Sequence, residues 1–168
     1  MDSTELKELQ APLKEQYIDA PQTAVITMRA ESHVTEGIAC KVETGRQLAE
    51  AGLHPAAGGD GSQLCSGDML LEALVACAGV TLKAVATAMG INLTDASIHA
   101  EGDLDFRGTL AVDRDAKVGF RDIRLRFSMQ SDAPPESLDK LIQLTERYCV
   151  VLQTLRDSAD FSVTASYN

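Results

Sequence analysis

Two cysteines are set in apolar stretches with helical spacing. Cys77 lies in Leu70-Leu-Glu-Ala-Leu-Val-Ala-Cys-Ala-Gly-Val-Thr-Leu82, and Cys149 in Glu146-Arg-Tyr-Cys-Val-Val-Leu-Gln-Thr-Leu155. A thiol on a helix can be a small buried hydrophobe and no more, since free cysteine is among the most buried residue types. Two thiols on separate helices can also be a reactive sulfur and the partner that resolves it. Cys77 shares a helix face with Leu70, Leu74, Thr81 and Ala84, so it points into packing, and apolar surroundings raise a thiol pKa unless donors or cations oppose them. Both readings stand on the residues alone.

The other chemistry-bearing residues are scattered. His33, Cys40, His54, Cys65 and His99 form neither a Cys-x-x-Cys nor a His-x-x-x-His pair, so no metal site is expected. No phosphate-binding loop, dinucleotide fingerprint or Gly-x-Ser-x-Gly elbow occurs. Cys65 and His54 fall in a glycine-bearing stretch, 44–67, that leads into the Cys77 helix. Cys65 reads as an accessory redox thiol or an ordinary loop thiol, and His54 as a proton carrier or a plain turn residue.

The elements that must position these groups follow from periodicity. A helix is expected from about Asp68 to Met89, capped by Ser66 or Asp68 and ended by Gly90, and it is apolar around nearly its whole circumference. Such a helix is buried on all sides, by other elements or by a second subunit. Alternation of period two predicts an antiparallel hairpin, Ala24–Ala30 then Ile38–Val42, with Cys40 on its inner side. It also predicts strands over 98–107 and 122–130. Residues 46–51 read as a short helical piece. Pro135 starts a further helix that runs through Cys149 to about Arg156, and 161–167 reads as a last edge strand. Residues 1–22 form an N-terminal arm, and 23–168 one domain. Strands, long helix, strands, helices and strand make the fold α+β.

A formal net charge of −10 among 168 residues argues against a nucleic-acid or anionic-membrane partner. The polar N-terminal residues and the lack of a long uncharged apolar run lead us to expect a cytoplasmic protein with reduced thiols.

The Ala-Cys77 helix with a second helical cysteine about seventy residues on resembles the OsmC/Ohr family, the osmotically inducible and organic-hydroperoxide-resistance proteins. The likeness covers about residues 24–167. It implies an antiparallel sheet with a long buried central helix and a second helical segment, in an intertwined homodimer. It also implies a peroxidase for organic hydroperoxides that has no bound cofactor. Cys77 would attack the peroxide, Cys149 would resolve the sulfenic acid, and an external dithiol such as a lipoyl group would reset the disulfide.

The family also pairs a Pro-Glu before the first cysteine with an arginine. Ser66 and Gly67 occupy the Pro-Glu positions here. Asp68 and Glu72 are the nearest carboxylates, ~13 Å along an ideal helix and roughly 140° around it from Cys77, respectively. Arg29 and Arg46 are the candidate arginines. Val150 stands where a proline usually follows the second cysteine. The alternatives are a dimer of this fold that binds a small apolar or electrophilic ligand, or a thiol redox sensor.

Overall fold

The structure, a computed structural model, describes residues 2–5, 8, 10–11, 19–20, 31–34, 39–43, 48–111 and 113–167; at 31–34, 39–43 and 48–49 the description is of backbone alone. The expected strand Ala24–Ala30, Arg29, Arg46, the inner face of Cys40 and most of the N-terminal arm therefore lie outside the described residues. The described part of the arm opens with a capping box. The Asp2 carboxylate accepts the Thr4 and Glu5 N–H groups at 2.7 and 2.9 Å, and Glu5 accepts from the Asp2 N–H at 2.8 Å.

Two sheets and a helical layer make up the α+β fold. Strands β1 (Glu31–Val34), β2 (Ala39–Glu43) and β3 (Leu48–Gly52) pair antiparallel in that order, and the two-residue β4 (Leu64–Cys65) joins β3 in parallel. A 24-residue helix, α1 (Ser66–Met89), follows. Next come β5 (Asp95–Leu104), a single helical turn α2 (Phe106–Thr109), β6 (Phe120–Gln130), α3 (Pro135–Tyr148) and α4 (Val150–Arg156). Strands β5 and β6 form a separate antiparallel pair.

Alternation along β5 and β6 sends Ile98, Ala100, Ile123, Leu125 and Phe127 to the helical side, as their pattern predicts, and leaves His99, Glu101, Arg124 and Arg126 outside. Gly102 is required at the end of this ladder, because a Cβ there would collide with the Phe120 ring packed over it.

Helix α1 buries a single i, i+4 row, Leu74, Ala78, Leu82 and Ala86. A matching row on the α3 side, Leu141, Thr145 and Cys149, lies against it in the opposite direction: Cys149 meets Leu74 and Ala78, and Leu141 meets Leu82 and Ala86. The alanines let the two backbones approach, and each buried leucine contributes about 1.5–3 kcal/mol of burial. Thr145 is fully buried at no polar cost, since its hydroxyl donates to the Leu141 carbonyl at 2.8 Å. Gly90, at φ 69°, ends α1 with its N–H on the carbonyls of Ala86 and Thr87.

Four expectations change. Residues 48–52 are a strand rather than part of a helical piece, because β2 offers a ladder to pair with. Phe106 and Arg107 leave the strand for α2, where Asp105 caps the Arg107 N–H at 3.1 Å and binds its guanidinium. Cys65, not Ser66 or Asp68, is the α1 N-cap, and no side chain caps it. Residues 161–167 form no strand: Phe161, Val163 and Tyr167 are exposed and unpaired among the described residues. Within one chain α1 is buried along one row, Val80 remaining 73% exposed, which leaves the expected burial by a second subunit untouched. Its length and composition would suit a membrane span, yet Leu74–Ala86 packs against β5 and α3 as a core helix does.

The thiol pair at the junction of three helices

A further correction builds the site. The expected helix through Cys149 is broken there. Cys149 has φ −74° and ψ 103°, and is at once the last cap of α3 and the first of α4. Its N–H still donates to Thr145 (3.0 Å), and its carbonyl accepts the Gln153 N–H (2.9 Å). The break strips the Glu146 carbonyl of its helical donor. The Gln153 side chain replaces that donor at 2.7 Å, and Arg156 binds the Glu146 carboxylate at 2.9 Å. The N–H groups that open α4 are thereby left without helical acceptors.

Those groups face Cys77, one residue around α1 from the buried row. Burial pushes the Cys77 thiol up, but four neighbouring donors outweigh it: the Val151 N–H, the Cys149 thiol, the Thr81 hydroxyl and the Val150 N–H, which favour the thiolate. The net direction is below the ordinary thiol value of 9.0. Cys149 goes the other way. Burial raises it first, the Leu152 N–H partly offsets this, and the neighbouring Cys77 sulfur raises it further. One sulfur is disposed to ionise and the other to keep its proton, which is the division of labour a nucleophile and a donor need. Both thiols are free.

The structure thus brings Cys77 and Cys149 together and leaves the other described candidates elsewhere. Asp68 and Glu72 line a groove with Ile98, His99 and Glu101 of β5, on another side of α1. Gly67, at the place of the family's glutamate, faces Leu104, Phe120 and the Cys65 sulfur. Cys65 and His54 line one cavity of about 350 Å³ with Phe106 and Phe120. His54 is engaged there in structure: Nδ1 accepts the Ala56 N–H at 3.0 Å, and the ring stacks on Phe106 at 5.0 Å. No group of three or more metal-ligating side chains occurs among the described residues.

The sequence reading missed Val151 and Gln153 as parts of the site, and took Val150 only as the residue in a proline's place. Backbone donors leave no mark in residue type. Thr81, one helical turn after Cys77, was visible in the spacing.

An α+β chain whose core helix holds one thiol against a second, at a break between two later helices, defines a thiol-pair protein. The chain belongs to the OsmC-like protein family, whose sequence pattern matches residues 59–164. Solved structures agree in fold. An OsmC-like protein from Mycoplasma pneumoniae is 16% identical, with a TM-score of 0.67 over 79% of this chain and 89% of that one. An organic hydroperoxide resistance protein OsmC from Legionella pneumophila is 18% identical, with a TM-score of 0.62 over 81% and 93%. One described as an organic hydroperoxide resistance protein from Elizabethkingia anophelis, with thiocyanate bound, is 15% identical, with a TM-score of 0.63 over 80% and 91%. No curated protein matches in sequence.

Proposed function

We propose that this protein is a thiol-dependent peroxidase for organic hydroperoxides. The observation that carries the reading is Cys77 packed against Cys149 in the core, with its thiol held below the ordinary value by the donors around it. The Cys77 thiolate attacks the terminal peroxide oxygen. The O–O bond breaks, its electron pair leaves on the alkoxide, and protonation gives the alcohol. Cys77 is then a sulfenic acid. The Cys149 sulfur attacks it, an S–S bond forms, and hydroxide departs with the Cys149 proton as water. An external dithiol reduces the disulfide, and no bound cofactor or metal is needed.

Among the described residues, the groups that favour the Cys77 thiolate are neutral donors. The apolar floor of a cavity of about 510 Å³, including Ile123, Leu125, Phe127, Leu152 and Leu155, adjoins the thiol core and suits an apolar peroxide better than hydrogen peroxide.

A homodimer belongs to the same proposal. Val80, Tyr148 and Val150 on the helices, and Phe161, Val163 and Tyr167 in the C-terminal segment, are exposed apolar side chains that a second copy would cover. A cytoplasmic setting without nucleic-acid or membrane partners fits the net charge of −10.

The test is consumption of cumene hydroperoxide against hydrogen peroxide by the reduced protein, with dihydrolipoamide as reductant and light scattering for the oligomer. Fast, organic-selective turnover is expected. No turnover, with both thiols remaining reduced, would favour the second reading: a non-peroxidase dimer that binds a small apolar or electrophilic ligand in the same cavity. That alternative draws on Gly67 standing in place of a glutamate. Disulfide formation without recycling would indicate a redox sensor.

A further inference from the structure

Proline is the residue that ordinarily breaks a helix, and none stands near Cys149. Val150 and Val151 are stiff but compatible with helix, so the local sequence would let α3 and α4 join. If they joined, the Val150 N–H would donate to the Glu146 carbonyl, and Cys149 would turn with the helix. What holds that carbonyl instead is the Gln153 side chain at 2.7 Å, in a part-buried position. The Gln153 backbone starts α4 on the Cys149 carbonyl, and Arg156 ties the same segment to the Glu146 carboxylate. Two side chains of α4 are thus stapled to one residue of α3, across the cysteine.

We propose that Gln153 is a positioning residue for the thiol pair. Its carboxamide holds the α3–α4 break open, and through that break it keeps the Cys149 sulfur and the Val151 N–H against Cys77. This deepens the peroxidase reading and rests on it only for the peroxide step, since the thiol geometry can be read without peroxide.

The experiment measures formation of the Cys77–Cys149 disulfide by diamide in the full chain. The two thiols lose two hydrogens, and the azo bond of diamide is reduced to the hydrazide. Gln153→Leu removes the donor, leaves the Glu146 carbonyl free to recapture the Val150 N–H, and swings Cys149 away. Disulfide formation should slow roughly tenfold, within the cost of a misplacement of an ångström or less. The pH at which iodoacetamide begins to modify Cys77 should rise with it.

Adding Val150→Pro to Gln153→Leu should restore the disulfide rate to about that of Val150→Pro alone. Proline has no N–H to give back to Glu146, and it holds the residue before it in the extended conformation that Cys149 already has. A merely space-filling glutamine would not be rescued from three residues away. Should Gln153→Leu unfold, Gln153→Met keeps the volume without the donor.

Unchanged rate and pH profile in the glutamine variants would overturn the proposal. So would failure of Val150→Pro to rescue, or loss of fold in both variants that Val150→Pro does not repair. Slow disulfide formation, or loss of fold, that Val150→Pro does repair would support it. A chain that forms the disulfide normally but consumes no peroxide would refute the peroxidase reading and leave this one standing.

Discussion

The chain holds two cysteine neighbourhoods that look alike on paper and differ in space. Cys65 lies eleven residues from a histidine, at the start of a long helix, in a cavity with two phenylalanines. Among the described residues, the donors that set Cys77 include no charged group, and its partner thiol is seventy-two residues away. Yet the donors converge on Cys77: two backbone N–H groups, a hydroxyl and a thiol. At Cys65 the imidazole is occupied, Nδ1 by the Ala56 N–H and the ring face by Phe106. Reactivity follows where unpaired donors point, not how near a histidine falls in sequence.

The sharpest way to break that comparison is to remove each sulfur in turn. Cys77→Ser should bring organic-peroxide turnover to the uncatalysed background, while Cys65→Ser leaves it unchanged. The measurement is peroxide loss at fixed reductant. The reverse pattern would transfer the chemistry to the Cys65 cavity. Next in size is the packing that holds the pair. Leu74→Ala removes a fully buried side chain against Cys149 and Ala78. Large-to-small core changes cost about 2–5 kcal/mol, which a denaturant titration would register. A smaller cost would mean that the row between α1 and α3 is not what holds the thiols.

Much of this was legible in the sequence, for stated reasons. The α1 helix, its stop at Gly90, the alternation of β5 and β6 and the start of α3 at Pro135 are each encoded by neighbours a few residues apart. Cys77 and Cys149 were legible as a possible reactive pair from their helices, and the family resemblance gave each its role. The failures share a cause. Leu48–Gly52 became a strand because β2 was there to pair with, and Phe161–Tyr167 alternate as a strand would but pair with none of the described strands. The break at Cys149 depends on a glutamine side chain reaching back seven residues, a contact that no local propensity reports. The carboxylates Asp68 and Glu72 were visible as residue types, but their groove with β5 was not.

The electrostatics of the pair sharpen the comparison further. The folded Cys77 thiol ionises below its ordinary value, so its contribution to stability is present above the unfolded thiol pKa and is lost as pH falls through the folded one. Cys149 is raised, so its effect has the opposite sign: stability falls as pH rises past the unfolded thiol value. Cys149→Ala removes a donor to the Cys77 thiolate and should move the onset of Cys77 alkylation to higher pH, whereas Cys149→Ser keeps a donor and should move it less. Cys77→Ser should lower the pH at which Cys149 reacts, because the neighbouring thiolate is gone while the burial remains. Equal alkylation profiles for Cys149→Ala and the parent would show that the two sulfurs do not feel each other.

The smallest effect expected is at His54, and it tests the other half of the comparison. If that ring is structural, its loss should cost stability and no activity. His54→Ala removes a cap and a stack, a loss of about 1–2 kcal/mol in thermal or denaturant unfolding. His54→Asn can still accept the Ala56 N–H while giving up the stack on Phe106, so it should recover part of that loss. Neither variant should alter peroxide consumption or the reaction of Cys77 with iodoacetamide. A drop in turnover in His54→Ala without a drop in stability would mean that the ring moves protons, and Cys65 would then be the thiol it serves. A drop in stability alone leaves His54 as what its contacts make it, the pin that closes the Pro55–Ala57 turn against α2.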